Sequence, residues 1–376
     1  MKKTIKAILL ATFALPIAGN AQSTTGSESI STAVPFLTIA PDSRAAGIGD
    51  AGVATSADFF SQHWNAAKYA FINQNYGVGI SYSPWMKKLV DDMSLSYLSG
   101  FYKLDENQAI SASLRYLALG SFVIRDENNL IHSEQNPNEF AFDFAYSRKL
   151  SQTWSGAVTL RYIRSNVGGT NISDNTTTPG NAFAVDVAFL FRSTTEPEKN
   201  AISAGIVASN IGSPVSYDDG NTKDFLPANL RLGTAYHWQQ STEHSFNFAL
   251  DFNKLMVPST NYRSAENWVV TNGTSSDYSV MGSIVRSFSD SSLKEEMQEI
   301  TTSLGVEYWY ANQIAVRTGY FRENENKGGR EYLTFGAGAK HYGISFDLSY
   351  LYSLASSSPL ENTFRFSLGF DLEQLF

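Results

Sequence analysis

The chain repeatedly alternates large apolar residues with small or polar ones over segments of about ten residues, which restricts its possible folds more than any other feature. Between 139 and 147, Phe140, Phe142 and Phe144 stand at every second position, with alanine or aspartate between them. The same pattern occupies 182–191, 246–253, 344–352 and 364–372. A period of two residues predicts β-strands that each have one uniformly apolar face.

These apolar faces need a medium that covers them. No run of about eighteen apolar residues follows residue 21, which argues against helical membrane spans. Aromatic residues make up 13% of the chain and charged residues 17%. This mixture suits strands that face lipid on one side and water on the other, with aromatic side chains where lipid meets solvent. The sequence therefore predicts an all-β fold, a transmembrane antiparallel β-barrel.

The number of alternating segments gives the size of the predicted barrel. We count about fourteen strands of roughly ten residues, the length that a tilted strand needs to cross a bilayer. They are expected near 76–82, 93–103, 108–119, 138–150, 153–166, 181–193, 200–211, 228–239, 244–254, 300–310, 313–322, 331–340, 342–353 and 362–372. An even number is typical of a bacterial barrel with both ends in the periplasm.

The predicted connections alternate between long loops and short turns. The long ones lie at 121–137, 167–180, 213–225, 255–299, 323–330 and 354–361, and the short ones at 105–106, 151–152, 194–199, 239–242, 311–312 and 340–341. Outer-membrane barrels have long outer loops and short periplasmic turns. A soluble lectin-like or sandwich protein is the alternative, but it has no reason to keep this alternation. The terminal aromatic Phe376 also favours membrane insertion.

Residues 1–21 are typical of a secretory signal peptide. Lys2, Lys3 and Lys6 precede an apolar stretch, and small residues precede a cleavage site near Ala21. Cleavage would change the formal net charge from −8 to −11, which argues against nucleic acid as a partner. The chain has no cysteine, so disulfides, thiolate metal sites and a lipoprotein anchor are excluded. We expect a protein of the bacterial outer membrane.

The segment 22–75 precedes the predicted barrel of 76–376 and does not alternate. Its glycines at 47, 49 and 52 match G-x-G-x-x-G, but a turn-like stretch at 40–44 precedes them where a nucleotide site requires a strand. We interpret the glycines and alanines as a means of close packing against a wall. The segment is therefore predicted to fold into the lumen as a hatch.

Three stretches carry a family resemblance. PDSRAAGIGDAGVAT at 41–55, QHWNAAKYAF at 62–71 and YSPW at 82–85 resemble the FadL-like outer-membrane proteins, and within them the PorV family. The family usually has Asn-Pro-Ala where this chain has Asn65, Ala66 and Ala67, so the turn that proline would make rigid is expected to be looser here.

The resemblance implies a role in type IX protein secretion. A PorV-like protein would receive secreted cargo, through its carboxy-terminal signal domain, from a translocon subunit and pass it to the surface sortase complex. It would lie among outer-membrane lipid and lipopolysaccharide, with no cofactor and no reaction of its own. The alternative is a FadL-like transporter that admits hydrophobic small molecules through a hatch-gated lumen.

Charges of both signs fall on the predicted inner face of the barrel. The arginines are Arg115, Arg161, Arg231, Arg317 and Arg365, and the acids are Asp143, Asp186, Asp251, Asp347 and Asp371. We expect them to pair with each other and with the hatch, although a polar path or ligand site is the functional alternative. Arg44, Asp50 and Asn65 are the expected anchors of the hatch to this wall.

The loop at 255–299 is the longest connection. It ends in a predicted short helix at 291–300, with Leu293, Met297 and Ile300 on one face. This face could cover the rim of the barrel itself, or it could bind cargo or a partner subunit together with Trp85 and Trp268.

The sequence contains no recognisable catalytic or metal site. None of the five histidines forms an i, i+4 or H-x-H pair, and no G-x-S-x-G motif occurs. We therefore expect a protein that is not an enzyme and holds no metal ion; lipid hydrolysis is the remaining alternative.

Overall fold

The computed structural model describes residues 30–87, 90, 92–125, 131–167, 178–194, 200–218, 223–258, 279–355 and 358–375. The predicted signal peptide at 1–21, Trp268 and Phe376 lie outside these residues. The strands are β1 Tyr76–Pro84, β2 Ser94–Asp105, β3 Gln108–Ala118, β4 Phe122–Arg125, β5 Ile131–Gln135, β6 Asn138–Lys149, β7 Trp154–Asn166, β8 Gly180–Arg192, β9 Ala201–Gly212, β10 Asn229–Gln239, β11 His244–Leu255, β12 Thr301–Tyr310, β13 Ile314–Arg322, β14 Glu331–His341, β15 Ile344–Ser353 and β16 Thr363–Asp371.

Fourteen of these strands form one closed antiparallel barrel. β1 closes it by pairing with β16, from Gly77 opposite Asp371 to Tyr82 opposite Phe366. β3 pairs directly with β6, because β4 and β5 form a separate hairpin between them. The predicted barrel of about fourteen strands is confirmed.

Two expectations about local structure need correction. The connection at 121–137 was expected to be a loop, but it contains the β4–β5 hairpin, whose four- and five-residue strands are too short to cross a bilayer. The last strand ends at Asp371 and not at Leu372, where a short helix begins.

The helices are short, and none of those described forms part of the barrel wall. They are α1 Ser43–Ala46, α2 Ser61–Trp64, α3 Val280–Arg286, α4 Leu293–Gln298 and α5 Leu372–Leu375, with 3₁₀ turns at Pro35–Thr38, Ala66–Phe71 and Glu325–Lys327. The described residues include no helix that is long and apolar enough to span a membrane. The sequence did not predict α3.

The wall has one apolar face and one polar face. Along β8 exposed and buried side chains alternate strictly, with Phe183 68% exposed and Ala184, Asp186 and Ala188 buried. Because successive side chains of a strand point to opposite sides, the apolar set faces outwards and the small and polar set faces the lumen.

The segment from residue 30 to 75 lies inside the barrel. Ser155 of β7 and Ser99 of β2 donate to its carbonyls, and Asp251 of β11, Thr334 of β14 and Ser367 of β16 accept from its backbone N–H groups. These partners come from strands around the whole circumference and use their buried faces. A segment that contacts all of them lies in the lumen, and its action as a hatch stays a prediction.

Glycines bring this segment into direct contact with the wall. Gly49 has a φ of +74°, and a Cβ atom there would lie 2.7 Å from the backbone nitrogen and oxygen of Tyr320. On the wall, a Cβ atom at Gly319 would lie 2.1 Å from the nitrogen of Gly49. Backbone therefore packs on backbone at β13, which explains the glycines of the G-x-G-x-x-G stretch.

Gly49→Ala should loosen the segment at 30–75. The left-handed backbone alone costs an alanine about 1–2 kcal/mol, and the Tyr320 backbone leaves no room for the methyl group. We expect faster protease cleavage of this segment in the detergent-folded protein. Gly100→Ala is the control, since its Cβ atom would meet nothing closer than 3.5 Å. Equal cleavage of the two variants would contradict this packing account.

Candidate functional site

Arg44 joins the lumenal segment to the barrel wall. It is buried and lies in α1 of this segment. The Asp42 carboxylate caps the first turn of α1 by accepting from the nitrogen of Ala45 at 3.0 Å. The Nε and Nη2 atoms of Arg44 donate to the two carboxylate oxygens of Glu307, each at 2.9 Å. Its Nη1 donates to Asp58 at 2.9 Å. Two-pronged pairs of this kind fix the geometry and are among the strong hydrogen bonds.

Glu307 is the wall residue on which these contacts meet. Besides Arg44, it accepts from Arg317 Nε at 2.7 Å and from Asn247 Nδ2 at 2.9 Å. Arg317 continues the network by donating to Asp347 at 2.7 Å. The sequence analysis missed Glu307 because it searched the inward positions only for arginine and aspartate. Glu307 stands four positions after the inward-facing Ser303 on β12. Because side chains at even spacing along a strand share one face, this spacing predicts that Glu307 also faces the lumen.

The two other expected anchors also contact the wall. Asp50 accepts from the Tyr332 hydroxyl at 2.6 Å. Asn65 donates from Nδ2 to the Phe189 carbonyl at 3.2 Å, and its Oδ1 accepts from the nitrogen of Ala67 at 3.0 Å. The asparagine thus caps the 3₁₀ turn that begins at Ala66, and this cap fixes the turn without the usual proline.

Some of the predicted wall charges pair with each other. Arg161 of β7 donates to Asp143 at 2.6 Å and to Asp186 at 2.9 Å, and also to Asn210. This cluster connects β6, β7, β8 and β9 and does not include the lumenal segment. Together with the Arg317–Asp347 pair, it stabilises the wall itself.

The remaining predicted wall charges bind other groups. Asp251 accepts from the backbone nitrogens of Gly52 and Val53, and Asp371 accepts from that of Glu373. Arg115 donates to the carbonyl of Leu37 at 2.8 Å, Arg365 lies over the ring of Trp85, and Arg231 lies over Trp64. Mutual pairing therefore holds for only part of the set.

His63 lies between two of these arginines. Burial, and after it the positive charges of Arg115 and Arg231, hold the pKa of His63 well below its usual range. The ring is therefore neutral, and Nδ1 accepts from Arg115. A neutral imidazole that accepts at one nitrogen carries its proton on the other, so Nε2 offers no lone pair to Arg231.

Exposed apolar side chains cluster on the connection between β11 and β12. Leu293 and Met297 of α4 are 81% and 63% exposed, and Met281 and Val285 of α3 are 63% and 68% exposed. Ile300 lies beyond α4 and is half-buried, so it is not part of this helix face. We call the four exposed residues of α3 and α4 the rim surface.

Ion pairs hold α4 on the barrel rim. Lys254, at the end of β11, contacts Glu296 at 2.8 Å and also Glu299. Lys327, between β13 and β14, contacts Glu295 at 3.0 Å and Glu299 at 3.2 Å. The acidic side of α4 thus faces the barrel, and Leu293 and Met297 point away from these contacts.

Trp85 does not belong to the rim surface. The sequence analysis expected it to be an apolar anchor there, but it is buried, with 8% of its surface exposed, in an apolar cluster with Leu95 and Leu117. Its interaction with Arg365 at 5.5 Å holds it against the inner wall. Within the described residues, no group of three or more histidines and acids could hold a metal ion.

Arg44→Met should open a path for ions through the barrel. The change removes both pairs to Glu307 and the pair to Asp58, and breaking a buried ion pair costs about 3–5 kcal/mol. We expect higher conductance in planar bilayers than for the parent. Arg161→Met is the control, because it breaks wall pairs and leaves the lumenal segment attached. If Arg44→Met and the parent are equally closed, Arg44 is not an anchor.

Several solved outer-membrane structures are similar to this chain. A deletion mutant of the monoaromatic hydrocarbon channel TodX has 10% identity and a TM-score of 0.49, and the match covers 87% of this chain and 96% of that one. The toluene transporter TodX of Pseudomonas putida has 11% identity and a TM-score of 0.47, with 92% and 98% covered. A FadL homologue of Pseudomonas aeruginosa has 10% identity and a TM-score of 0.45, with 88% and 98% covered. No curated protein matches the chain.

The sequence matches one protein family directly. The model of the family described as type IX secretion system protein PorV matches residues 22–262, which is more than half of the chain. The matched region includes the lumenal segment and β1 to β11. With its closed barrel of fourteen strands, this outer-membrane protein belongs to the PorV family.

Proposed function

We propose that this protein receives secreted cargo from the type IX translocon and carries it to the surface sortase complex. The cargo would be recognised through its carboxy-terminal signal domain. Removal of the signal peptide near Ala21 would precede insertion into the outer membrane. This role is one of binding and transfer, with no chemical reaction of its own.

The rim surface is the observation that carries this proposal. Four large apolar side chains at 63–81% exposure stand on two helices outside the barrel wall. Ion pairs to Lys254 and Lys327 fix α4 on the barrel, so Leu293 and Met297 are held on its exposed side. Exposed apolar groups on a fixed loop are typical of surfaces that bind other proteins.

The composition of the rim surface fits a receptor with many ligands. Met281 and Met297 supply flexible, polarisable side chains that can pack against different partners. Protein surfaces rich in methionine are common among binders that accept several sequences. A carrier of many secreted proteins needs this property.

A second observation favours the transporter alternative. An apolar pocket of about 640 Å³ opens at the end of the barrel that carries the long connections. Its walls include Phe36, Ile39, Trp85, Met93 and Leu117. A pocket of this size and character suits a hydrophobic small molecule. Phe36 and Ile39 of the lumenal segment form part of the pocket wall, so we expect transport from the pocket through the barrel to require that segment to move.

Replacing both Leu293 and Met297 with aspartate should abolish cargo binding. Two charges in the apolar surface would have to be buried without partners, which costs several kcal/mol at an interface. The measurement is the amount of secreted protein that co-purifies with the barrel from native membranes in mild detergent. We expect a loss of at least tenfold while the folded band on unheated gels persists.

Leu150→Asp is the matched control, since Leu150 is also exposed but lies in a short turn at the opposite end of the barrel. It should leave co-purification unchanged. A transporter would show the opposite pattern, because uptake would fail only when the lumen is altered. Normal secretion and cargo binding by the Leu293 and Met297 variant would favour the transporter.

A further inference from the structure

Arg231 faces a cavity with several charged lining residues, at the end of the barrel that carries the long connections. The cavity measures about 340 Å³ and lies between the lumenal segment and the wall. Its walls include Asp50, Asn229, Glu299 and Tyr332. Arg231 is only 5% exposed, so its guanidinium group is largely withdrawn from bulk water.

Arg231 differs in its partners from three other inward arginines, Arg115, Arg161 and Arg317. Arg161 and Arg317 each pair with two carboxylates, and Arg115 donates to backbone carbonyls. For Arg231, the contacts among the described residues are the Trp64 ring at 5.5 Å and the Nε2 of His63 at 3.5 Å. The carboxylates of Asp186 and Asp251 attract it electrostatically but form no ion pair with it. The His63 contact supplies no acceptor, because Nδ1 already accepts from Arg115.

A buried guanidinium group without an acceptor is costly unless something else binds it. Buried charges in proteins are normally paired or hydrogen-bonded. The two other cations that line this cavity are already engaged, Lys327 with Glu295 and Glu299, and Arg330 with Glu323. Within the described part of the chain, Arg231 is therefore the cation of this cavity that makes no ion pair. The nearby carboxylates bind other groups directly, Asp186 the guanidinium of Arg161 and Asp251 the backbone nitrogens of Gly52 and Val53.

Two acceptor oxygens of the same cavity also lack a donor. The Oδ1 atoms of Asn229 and Asp50 are buried and have no hydrogen-bond partner among the described residues. Asn229 stands two positions before Arg231 on β10, so both side chains point to the same face. A ligand that satisfies the whole site therefore has an anionic group and, close to it, an O–H or N–H donor.

We infer that this cavity binds a small hydrophilic carboxylate that carries a neighbouring hydroxyl or amino group. The carboxylate accepts from Arg231, and the donor group bonds to Asn229 or Asp50. The volume of about 340 Å³ is sufficient for a molecule of this class. Its charged lining residues Asp50, Arg231, Glu299, Glu323, Lys327 and Arg330 distinguish it from the pocket near Trp85, whose lining is mainly apolar and suits a hydrophobic molecule. The inference does not depend on the proposed carrier role.

Lactate binding to the detergent-folded full-length protein tests this inference. Saturation-transfer NMR should detect the lactate methyl group on the parent. Arg231→Met should weaken binding at least tenfold, because it removes the cation that, among the described residues lining this cavity, makes no ion pair, and it keeps an apolar contact with Trp64. Acetate, which has the carboxylate and no neighbouring donor, should bind at least tenfold more weakly than lactate.

Arg365→Met is the matched control. Arg365 is an inward arginine that stacks on Trp85 and lies away from this cavity, and it should keep lactate binding at the parental level. The heat-shifted gel band shows that each variant is folded. Absence of lactate binding to the parent, equal binding by Arg231→Met, or equal binding of acetate and lactate would each overturn the inference.

Discussion

The lumen of this protein depends on one carboxylate. Glu307 accepts from Arg44 of the lumenal segment and from Arg317 of the wall, and Arg317 in turn binds Asp347. Each charge in this four-residue network has an opposite charge within hydrogen-bonding distance. The cost of removing these charges from water is therefore offset by short, charge-assisted contacts. Because the network crosses from the segment to the wall, the position of the segment and the shape of the barrel are fixed together.

The lumen and the rim differ in packing and in exposure. Within the lumen, small residues such as Gly49 and Gly319 bring backbones together, and buried polar groups bind each other. At the rim, apolar side chains stand exposed on α3 and α4, and ion pairs hold α4 in place. A tightly packed interior and an exposed, adaptable edge suit a protein that binds partners on its outside. Among the described residues of the lumen, Arg231 and Arg365 are exceptions, because each lies over a tryptophan ring and makes no ion pair.

The strands of the barrel wall could be predicted from the sequence because side chains alternate along a strand with a period of two. An even or odd position in the strand therefore assigns each side chain to lipid or to the lumen. The sequence was less informative wherever the strands end. Trp85 follows directly after β1, and parity gave no indication that it turns inwards to Arg365. α3 contains glycine and β-branched residues, which are poor helix formers, so its sequence carries no helical signal. Glu307 had the right parity and was missed because only arginine and aspartate were considered.

The central claim is that cargo binds at the rim surface and not in the lumen. Site-specific photo-crosslinking in living cells tests it most directly, with the reactive group placed at Met281, which is exposed on α3, or at Gln74, which lines a cavity at the opposite end of the barrel. The account predicts covalent adducts with secreted proteins from position 281 and none from position 74. Adducts with secreted proteins from position 74 alone would contradict it.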